Sequence, residues 1–232
     1  MDIRSLPEER RQQLLEILRL NGKLSVPQAS EQLQVSVDTI RRDLKELDHA
    51  GLLTRVHGGA LPVSQTVPSY GDRKNMQNDA KTRIALKTVS FFQPGQTILI
   101  DSGTTAQMVA KHIAPDLNAT VITNSPPVAM ALSSHNNIQV VLSGGHLNTS
   151  SMALTGSSTY QFFSGIHADV CIPGICSLHA DAGITTADSA EADVKRIMIE
   201  QSKITIAPVT SDKMNAISSF HVTSLDHIDY II

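Results

Sequence analysis

The chain has 232 residues, with 19 Lys and Arg against 22 Asp and Glu, for a formal net charge of −3 at pH 7. That length suits one large or two modest domains with buried cores. The slight acidic excess excludes a polycation that coats nucleic acid or an anionic membrane by bulk charge. No apolar run is long enough to span a bilayer, and the N-terminus lacks a basic-then-apolar leader, so a cytoplasmic protein with no membrane partner is expected. Cys171 and Cys176 lie in an apolar stretch and are expected as free buried thiols, since one Cys pair without a second is a poor zinc signature. His146, His167 and His179 read better as satisfied or exposed side chains than as ligands, so neither a metal nor a cofactor is expected.

From the N-terminus, Pro7 to Leu20 reads as a helix with Leu14, Leu15, Ile17 and Leu18 on its buried side, stopped by Gly22. Ser25-Val26-Pro27-Gln28 opens a second helix as a capping box, with the proline tolerated in the first turn. That helix runs to about Leu33, with Ala29 and Leu33 inward. Ser36 then caps a third helix, in which Val37, Ile40, Leu44 and Leu47 recur at steps of three, four and three along one face. The opposite side carries Thr39, Arg42, Lys45 and Glu46, with Arg41 at the flank. An apolar back and an arginine-bearing front near the N-terminus is the layout of a recognition helix, whose arginines can donate two hydrogen bonds to guanine in the major groove.

Gly51 sits where a helix C-terminal glycine belongs. Leu53–His57 alternates as a strand, Gly58–Gly59 makes a tight turn and Ala60–Leu61 returns. Residues 1–61 are therefore expected to form a winged helix-turn-helix, with Arg55 and His57 on the wing reaching phosphates or the minor groove. Nine Lys and Arg balance nine Asp and Glu over residues 1–60, so Arg41, Arg42, Lys45 and Arg55 must supply a local footprint. Modest attraction per subunit, and one helix reading a few base pairs, favour a homodimer or homotetramer on repeated half-sites of double-stranded DNA.

Residues 62–78 are polar, carry two prolines and follow neither period, as an interdomain linker does. Beyond them, a helix (Lys81–Phe92) precedes alternating strands (Thr97–Asp101, Ala119–Thr123, Ile138–Leu142) and helices (Thr105–Ile113, Pro126–Leu132). Strands at Ala168–Pro173, Ile204–Ala207 and Ile228–Ile232 and a helix at Ala190–Gln201 complete an α/β domain over 79–232 with a mostly parallel sheet.

In such sheets ligands gather at the carboxyl ends of strands. Asp101-Ser102-Gly103-Thr104-Thr105 follows a strand and opens a helix, offering hydroxyls, a close backbone approach and free N–H groups to an anion. Thr123-Asn124-Ser125 ends the next strand and Ser143-Gly144-Gly145 the one after. Together these turns suit a phosphate and a polyol, although any one of them also reads as an ordinary turn.

The run Val35-Ser36-x-x-Thr39-Ile40-Arg41-Arg42-Asp43-Leu44-x-x-Leu47, followed by Gly51 and Arg55-x-His57-Gly58-Gly59-Ala60, closely resembles the DNA-binding end of DeoR-type bacterial repressors. The resemblance extends through Asp101–Thr105, Thr123–Asn124 and Gly144–Gly145 to Gly183, Glu191 and Lys195–Arg196. It implies a sensor domain like ribose-5-phosphate isomerase and glucosamine-6-phosphate deaminase, and a phosphorylated sugar as effector. By it, Asp101, Gly103, Thr104 and Thr105 cradle the phosphate and Lys213 adds a cation. Two departures stand out: Thr210 occupies the place of an aspartate that the family has three residues before that lysine, and the chain stops at Ile232, where relatives often continue.

The expected function is thus a repressor of a carbohydrate-use operon, released from its operator by a sugar phosphate. The rival is a sugar-phosphate isomerase or deaminase with a DNA-binding appendage, for which Asp101, Asp169 or Glu191 could act as base. No acid/base pair is marked by motif, so an enzyme is not expected. An activator, a sensor of a non-phosphorylated ligand, or a sensor that has lost its ligand also fits the sequence.

Overall fold

The computed structural model describes residues 6–21, 23–62 and 68–232, apart from the side chains of Arg19 and Leu20. Its chain divides into two compact units, residues 1–66 with 215–218 and residues 67–214 with 219–232.

In the first unit α1 (Pro7–Asn21), β1 (Leu24–Ser25), α2 (Val26–Leu33), α3 (Val37–His49), β2 (Leu53–Val56) and β3 (Gly59–Pro62) enclose one core. Leu14 and Leu18 of α1, Ala29 of α2, Ile40, Leu44 and Leu47 of α3 and Leu53 of β2 pack together in it. The three-four-three spacing on α3 thus marks its buried face. Ser36 caps α3 as expected, its Oγ accepting the Thr39 N–H at 3.2 Å. At the other end Gly51 (φ +69°) donates to Asp48 O and Leu52 to Leu47 O, the two bonds that close a helix through a left-handed residue. Gly22, expected to stop α1, lies outside the described residues.

Three local readings change. Ser25 precedes α2 but makes no side-chain cap bond; the Val26 N–H instead donates to Gly58 O at 2.9 Å, so the wing satisfies the helix end. The wing turn is His57–Gly58, with positive φ at Gly58, and Gly59 already belongs to the returning strand opposite Val56. There a Cβ would collide with the Leu24 carbonyl, because β3 is sandwiched between β2 and the two-residue β1. So short a strand has no period to read.

One buried ion pair ties α1 to α3. Arg10 Nε and Nη2 meet Asp43 Oδ2 and Oδ1 at 2.5 and 3.2 Å, both residues being under 9% exposed. The bond to Asp43 raises the Arg10 guanidinium pKa against the opposing effect of burial.

The second unit is built on a six-stranded parallel sheet in the order β14-β12-β9-β4-β5-β6. Its elements run α4 (Tyr70–Arg73), α5 (Asn78–Val89), β4 (Thr97–Ile100), α6 (Thr104–Lys111), β5 (Ala119–Thr123), α7 (Pro126–Ala131) and β6 (Ile138–Leu142). They continue with β7 (His146–Asn148), β8 (Ala153–Thr155), α8 (Ser157–Ser164), β9 (Ala168–Ile172), β10 (Ser177–His179) and β11 (Gly183–Thr186). The chain closes with α9 (Ser189–Glu200), β12 (Ser202–Ala207), β13 (Phe220–Thr223) and β14 (Tyr230–Ile231).

The strands alternate apolar residues to both faces, as a sheet covered on both sides requires. Ile98, Ile100, Val121 and Ile172 pack under Ala106 and Ala110 of α6 and Val128 of α7. Leu99, Ile122 and Cys171 pack under Phe163 of α8 and Val194 and Met198 of α9. The hairpin β7–β8 and the antiparallel sheet β10-β11-β13 are additions that the sequence reading left unassigned.

Cys171 is buried and Cys176 half-buried, both as free thiols, and burial pushes the Cys171 thiol up. Among the described residues no helix is long and apolar enough to cross a membrane. Within the stretch expected as a linker, α4 is pinned by the Tyr70 N–H donating to Ser150 O at 2.7 Å. Tyr70 is 8% exposed, and burial lifts its phenol to about 12, against the lowering effect of the Arg73 charge.

Two measurements check these packing claims. Asp43→Ala strands a buried guanidinium and should cost about 3–5 kcal/mol of unfolding free energy, read as a fall in the urea midpoint of the N-terminal unit. Because the folded pKa of Tyr70 lies above its ordinary 10.0, the stability it contributes is present below pH 10 and is lost as pH rises toward 12. In an alkaline ultraviolet titration one of the three tyrosines should ionise late, and Tyr70→Phe should remove that late phase.

Candidate functional site

On α3 the helical advance of 100° per residue puts Asp38, Arg41, Arg42 and Lys45 on one exposed face, opposite the buried Ile40, Asp43, Leu44 and Leu47. Arg41 Nη1 donates to Asp38 Oδ1 at 3.3 Å, and Arg42 and Lys45 project into solvent. Ser36 and Thr39 share a hydroxyl–hydroxyl bond of 2.8 Å, so Ser36 serves the helix start as well as its flank. Arg55 is exposed on β2, where its N–H donates to Asp48 Oδ1 at 3.3 Å, and His57 is exposed in the wing turn. The arrangement can present guanidinium forks to base edges from the helix and cations to phosphates from the wing.

In the second unit every strand of the main sheet is parallel, so the loops after β4, β5, β6, β9 and β12 emerge at one edge. Gly103 leads into α6 with φ +128°, a conformation that favours glycine, and a Cβ there would meet open space. The first N–H groups of α6 point out beside it, flanked by the buried Thr104 and half-buried Thr105. An anion can sit there.

Asp101 is placed to support this loop rather than to face an anion. Its Oδ1 accepts the Ser102 N–H at 2.6 Å, and its Oδ2 accepts the Gly174 N–H at 2.8 Å and the Lys195 ammonium at 2.5 Å. Both charged side chains are at most 3% exposed. Burial works to lower the Lys195 pKa, but the charges of Asp101, Cys176 and Glu191 hold it above the usual lysine range. Gly174 passes so close that a Cβ would strike the Ser102 carbonyl and crowd Asp101 and Lys195.

The ends of β5 and β6 carry the most informative atoms. Asn124 Oδ1, Ser125 Oγ and Ser143 Oγ are buried and have no hydrogen-bond partner. Buried polar atoms are nearly always paired, so such a group marks a place where water or a ligand belongs. Thr123, by contrast, spends its hydroxyl on the Ser125 N–H at 3.0 Å. Gly144 O accepts from Thr159 Oγ1 at 2.6 Å, and Gly145 packs against Thr159 with no room for a Cβ. These two glycines shape the turn.

After β12, Lys213 lies 3.4 Å from Asp212. Lys81 of α5 is buried nearby and donates to Arg73 O at 2.6 Å. Its pKa is lowered by burial and by the positive charges of Arg73 and Lys213, with Asp212 partly offsetting them. Burial raises the Asp212 carboxyl, but bonds from Thr210, Lys213 and Gln77 bring it below the usual range. A carboxylate two positions downstream of Thr210 thus faces the lysine, and Thr210 donates to it.

Sequence reasoning missed Lys81, left Lys195 as a pattern match without a role, and considered Glu191 only as a base for the rival enzyme. The available signal was Glu191 and Lys195 at i and i+4 inside the otherwise apolar run Ala192, Val194, Ile197, Met198. Of the carboxylates considered as bases, Asp101 is committed to Lys195 and Glu191 accepts from Asn148 at 3.1 Å. Asp169 lies at the amino end of the sheet, bonded to Thr97 N and Lys203, and these bonds hold its pKa low. The described residues hold no cluster of three His, Cys, Asp or Glu that could bind a metal ion.

Comparison with known proteins follows the same division of the chain. Residues 10–66 match the DeoR-like helix-turn-helix domain and residues 76–232 the DeoR C terminal sensor domain. The regulator GolR of Listeria innocua is 32% identical over 97% of this chain and 90% of its own length. The repressor GlcR of Bacillus subtilis is 34% identical over 97% and 87%, and the glycerol-3-phosphate regulon repressor of Escherichia coli 32% over 96% and 89%. Among solved structures, ribose 5-phosphate isomerase A from Methanocaldococcus jannaschii aligns with a TM-score of 0.43 at 14% identity, over 59% of this chain and 54% of that one. With family models matching residues 10–66 and 76–232 and relatives above 30% identity over most of both chains, the chain belongs to the DeoR family of helix-turn-helix transcriptional regulators.

Proposed function

We propose that this protein is a repressor of a carbohydrate-use operon that holds operator DNA through α3 and its wing and is released by a phosphorylated sugar. The observation that carries the reading is the pairing, in one chain, of an exposed arginine face with a strand-end site whose buried polar atoms lack partners. Thr39, Arg41, Arg42 and Lys45 read or grip the major groove, and Arg55 and His57 contact the backbone beside it. Gly103, Thr104, Thr105 and the start of α6 hold the phosphate, while Lys213 and Lys81 supply positive charge. Asp101 holds the loop in shape. The names of the relatives, a glycerol-3-phosphate regulon repressor among them, support a phosphoester as the signal.

The operator is read by two or more copies, because one recognition helix covers too few base pairs for useful specificity. An effector shifts operator affinity only through its differential affinity for two arrangements of the protein, worth about 1–3 kcal/mol in typical cases. The protein works where the chromosome is, in the cytoplasm.

In a gel-shift titration the chain should prefer the promoter segment upstream of its own gene over random duplex. Arg42→Ala should cut that preference by about 1–3 kcal/mol, and equal binding of both duplexes by the unmodified protein rejects the reading. Adding the correct sugar phosphate should weaken the complex. Thr104→Asp, which places a carboxylate at the α6 N-terminus, should abolish that response while leaving DNA affinity unchanged.

A further inference from the structure

From Leu117 to Ala168 the sequence has no Asp, Glu, Lys or Arg. At the 18% of charged residues in the whole chain, a stretch of that length would hold about nine. Burial does not account for the gap, because Ser133, Ser134, Asn136, Asn137, Gln139 and Gln161 are all exposed. The surface over β5, α7, β6, the β7–β8 hairpin and α8 is thus polar without being charged. Exposed apolar side chains fall in the same stretch: Met130 is 75% exposed, Leu142 44%, Leu147 40% and Tyr160 41%. Loss of charge together with Met and Tyr marks the core of a protein interface rather than ordinary surface.

The same stretch holds an open edge of the main sheet. β6 ends the order β14-β12-β9-β4-β5-β6, and among the described residues no strand pairs with its outer side. The opposite edge is blunted, since β14 has two residues and follows Asp229. Natural edge strands are kept from pairing by shortness, charge or proline. β6, with the five residues Ile138–Leu142, has none of these protections. The Ser143 N–H donates to Thr123 O at 2.9 Å, so the backbone groups of Val141 and Gln139, two and four places earlier, also turn toward β5. Those of Ile138, Val140 and Leu142 turn outward, because successive residues of a strand point their N–H and C=O to opposite sides.

Resting on the proposed reading of DNA by two or more copies, we infer that β6 is the seam where a second copy of this chain joins, edge to edge and antiparallel. The three outward residues are spaced evenly about Val140, as a two-fold axis through the seam requires. Val140 then lies across from Val140 of the second copy, and Ile138 across from Leu142. Each such pair exchanges two N–H···O bonds, about six in all. Ile138 and Val140 pack on the α6–α7 side of the sheet, and alternation along the strand puts Leu142 with them. The seam therefore matches an apolar row to its own reverse and runs a single sheet through both copies. α7, which packs on β6, brings the exposed Met130 to the flank of that junction. A highly charged partner would find no side chain to pair with on this face, whereas a second copy needs none.

Sedimentation equilibrium of the full chain, unmodified and as Leu142→Lys, tests the seam together with oxidative cross-linking of Val140→Cys and Leu142→Cys. The unmodified chain should associate. Leu142→Lys carries an unpaired ammonium into the seam and should weaken association by about tenfold or more, with an unchanged circular dichroism spectrum. Val140→Cys should cross-link to its twin, because directly paired Cα atoms lie about 5.5 Å apart, within reach of a disulfide. Leu142→Cys should not, although Leu142 is the more exposed, because its twin stands four residues away, about 13 Å along the strand. The unmodified chain, with Cys171 and Cys176, gives the background. Association that survives Leu142→Lys, with no cross-link in Val140→Cys, overturns the inference and leaves the two-copy reading standing. Equal cross-linking of the two cysteine variants overturns it as well, by marking random encounter. Should Leu142→Lys misfold, the cysteine variants still decide. An unmodified chain that stays monomeric at every concentration removes the seam and the two-copy reading together.

Discussion

The second unit depends on a charge pair buried beneath the loop that leads into α6. Asp101 and Lys195 are drawn out of water at a cost of several kcal/mol per ion, and their contact returns that only because Asp101 is also bonded by Ser102 and Gly174. The arrangement fixes three elements at once: the loop into α6, the chain leaving β9 and the middle of α9. A loop held this way can present backbone N–H groups to an anion without reorganising, which is what preorganised recognition demands. The carboxylate therefore shapes the loop into α6 through its bonds to Ser102, Gly174 and Lys195.

The DNA-facing unit uses charge in the same two ways. Arg10 and Asp43 are consumed inside, fixing how α1 crosses α3. Arg41, Arg42 and Lys45 remain outside on the face opposite the core. Nine Lys and Arg balance nine Asp and Glu over residues 1–60, so the positive charge of this unit is local to the exposed face of α3.

Much of this was legible in the sequence where periodicity is long. Thirteen residues of α3 carry their apolar spacing openly, and strands alternating with helices announced the parallel sheet. Short elements were not legible. β1 has two residues and β10 three, too few for a period, and their existence depends on partners far along the chain. The loop into α6 was visible as a motif, whereas the bonds that shape it were not. In sequence Asp101 is grouped with Gly103 and Thr104 as part of a phosphate cradle, and only the fold brings Lys195, 94 positions away, onto it. Thr210 likewise looked like a lost charge until Asp212 proved to occupy the space beside Lys213.

Gly59 has a consequence that reaches beyond the folded state. It occupies a position where any side chain meets the Leu24 carbonyl, in the middle of a three-stranded wing. Every single-base change that alters a glycine codon to another amino acid adds at least a Cβ. Exposed wing positions such as Arg55 and His57 are free of that constraint, whereas position 59 has no neighbouring step in mutational space. Variation in this wing is thereby channelled to its exposed positions while Gly59 stays fixed.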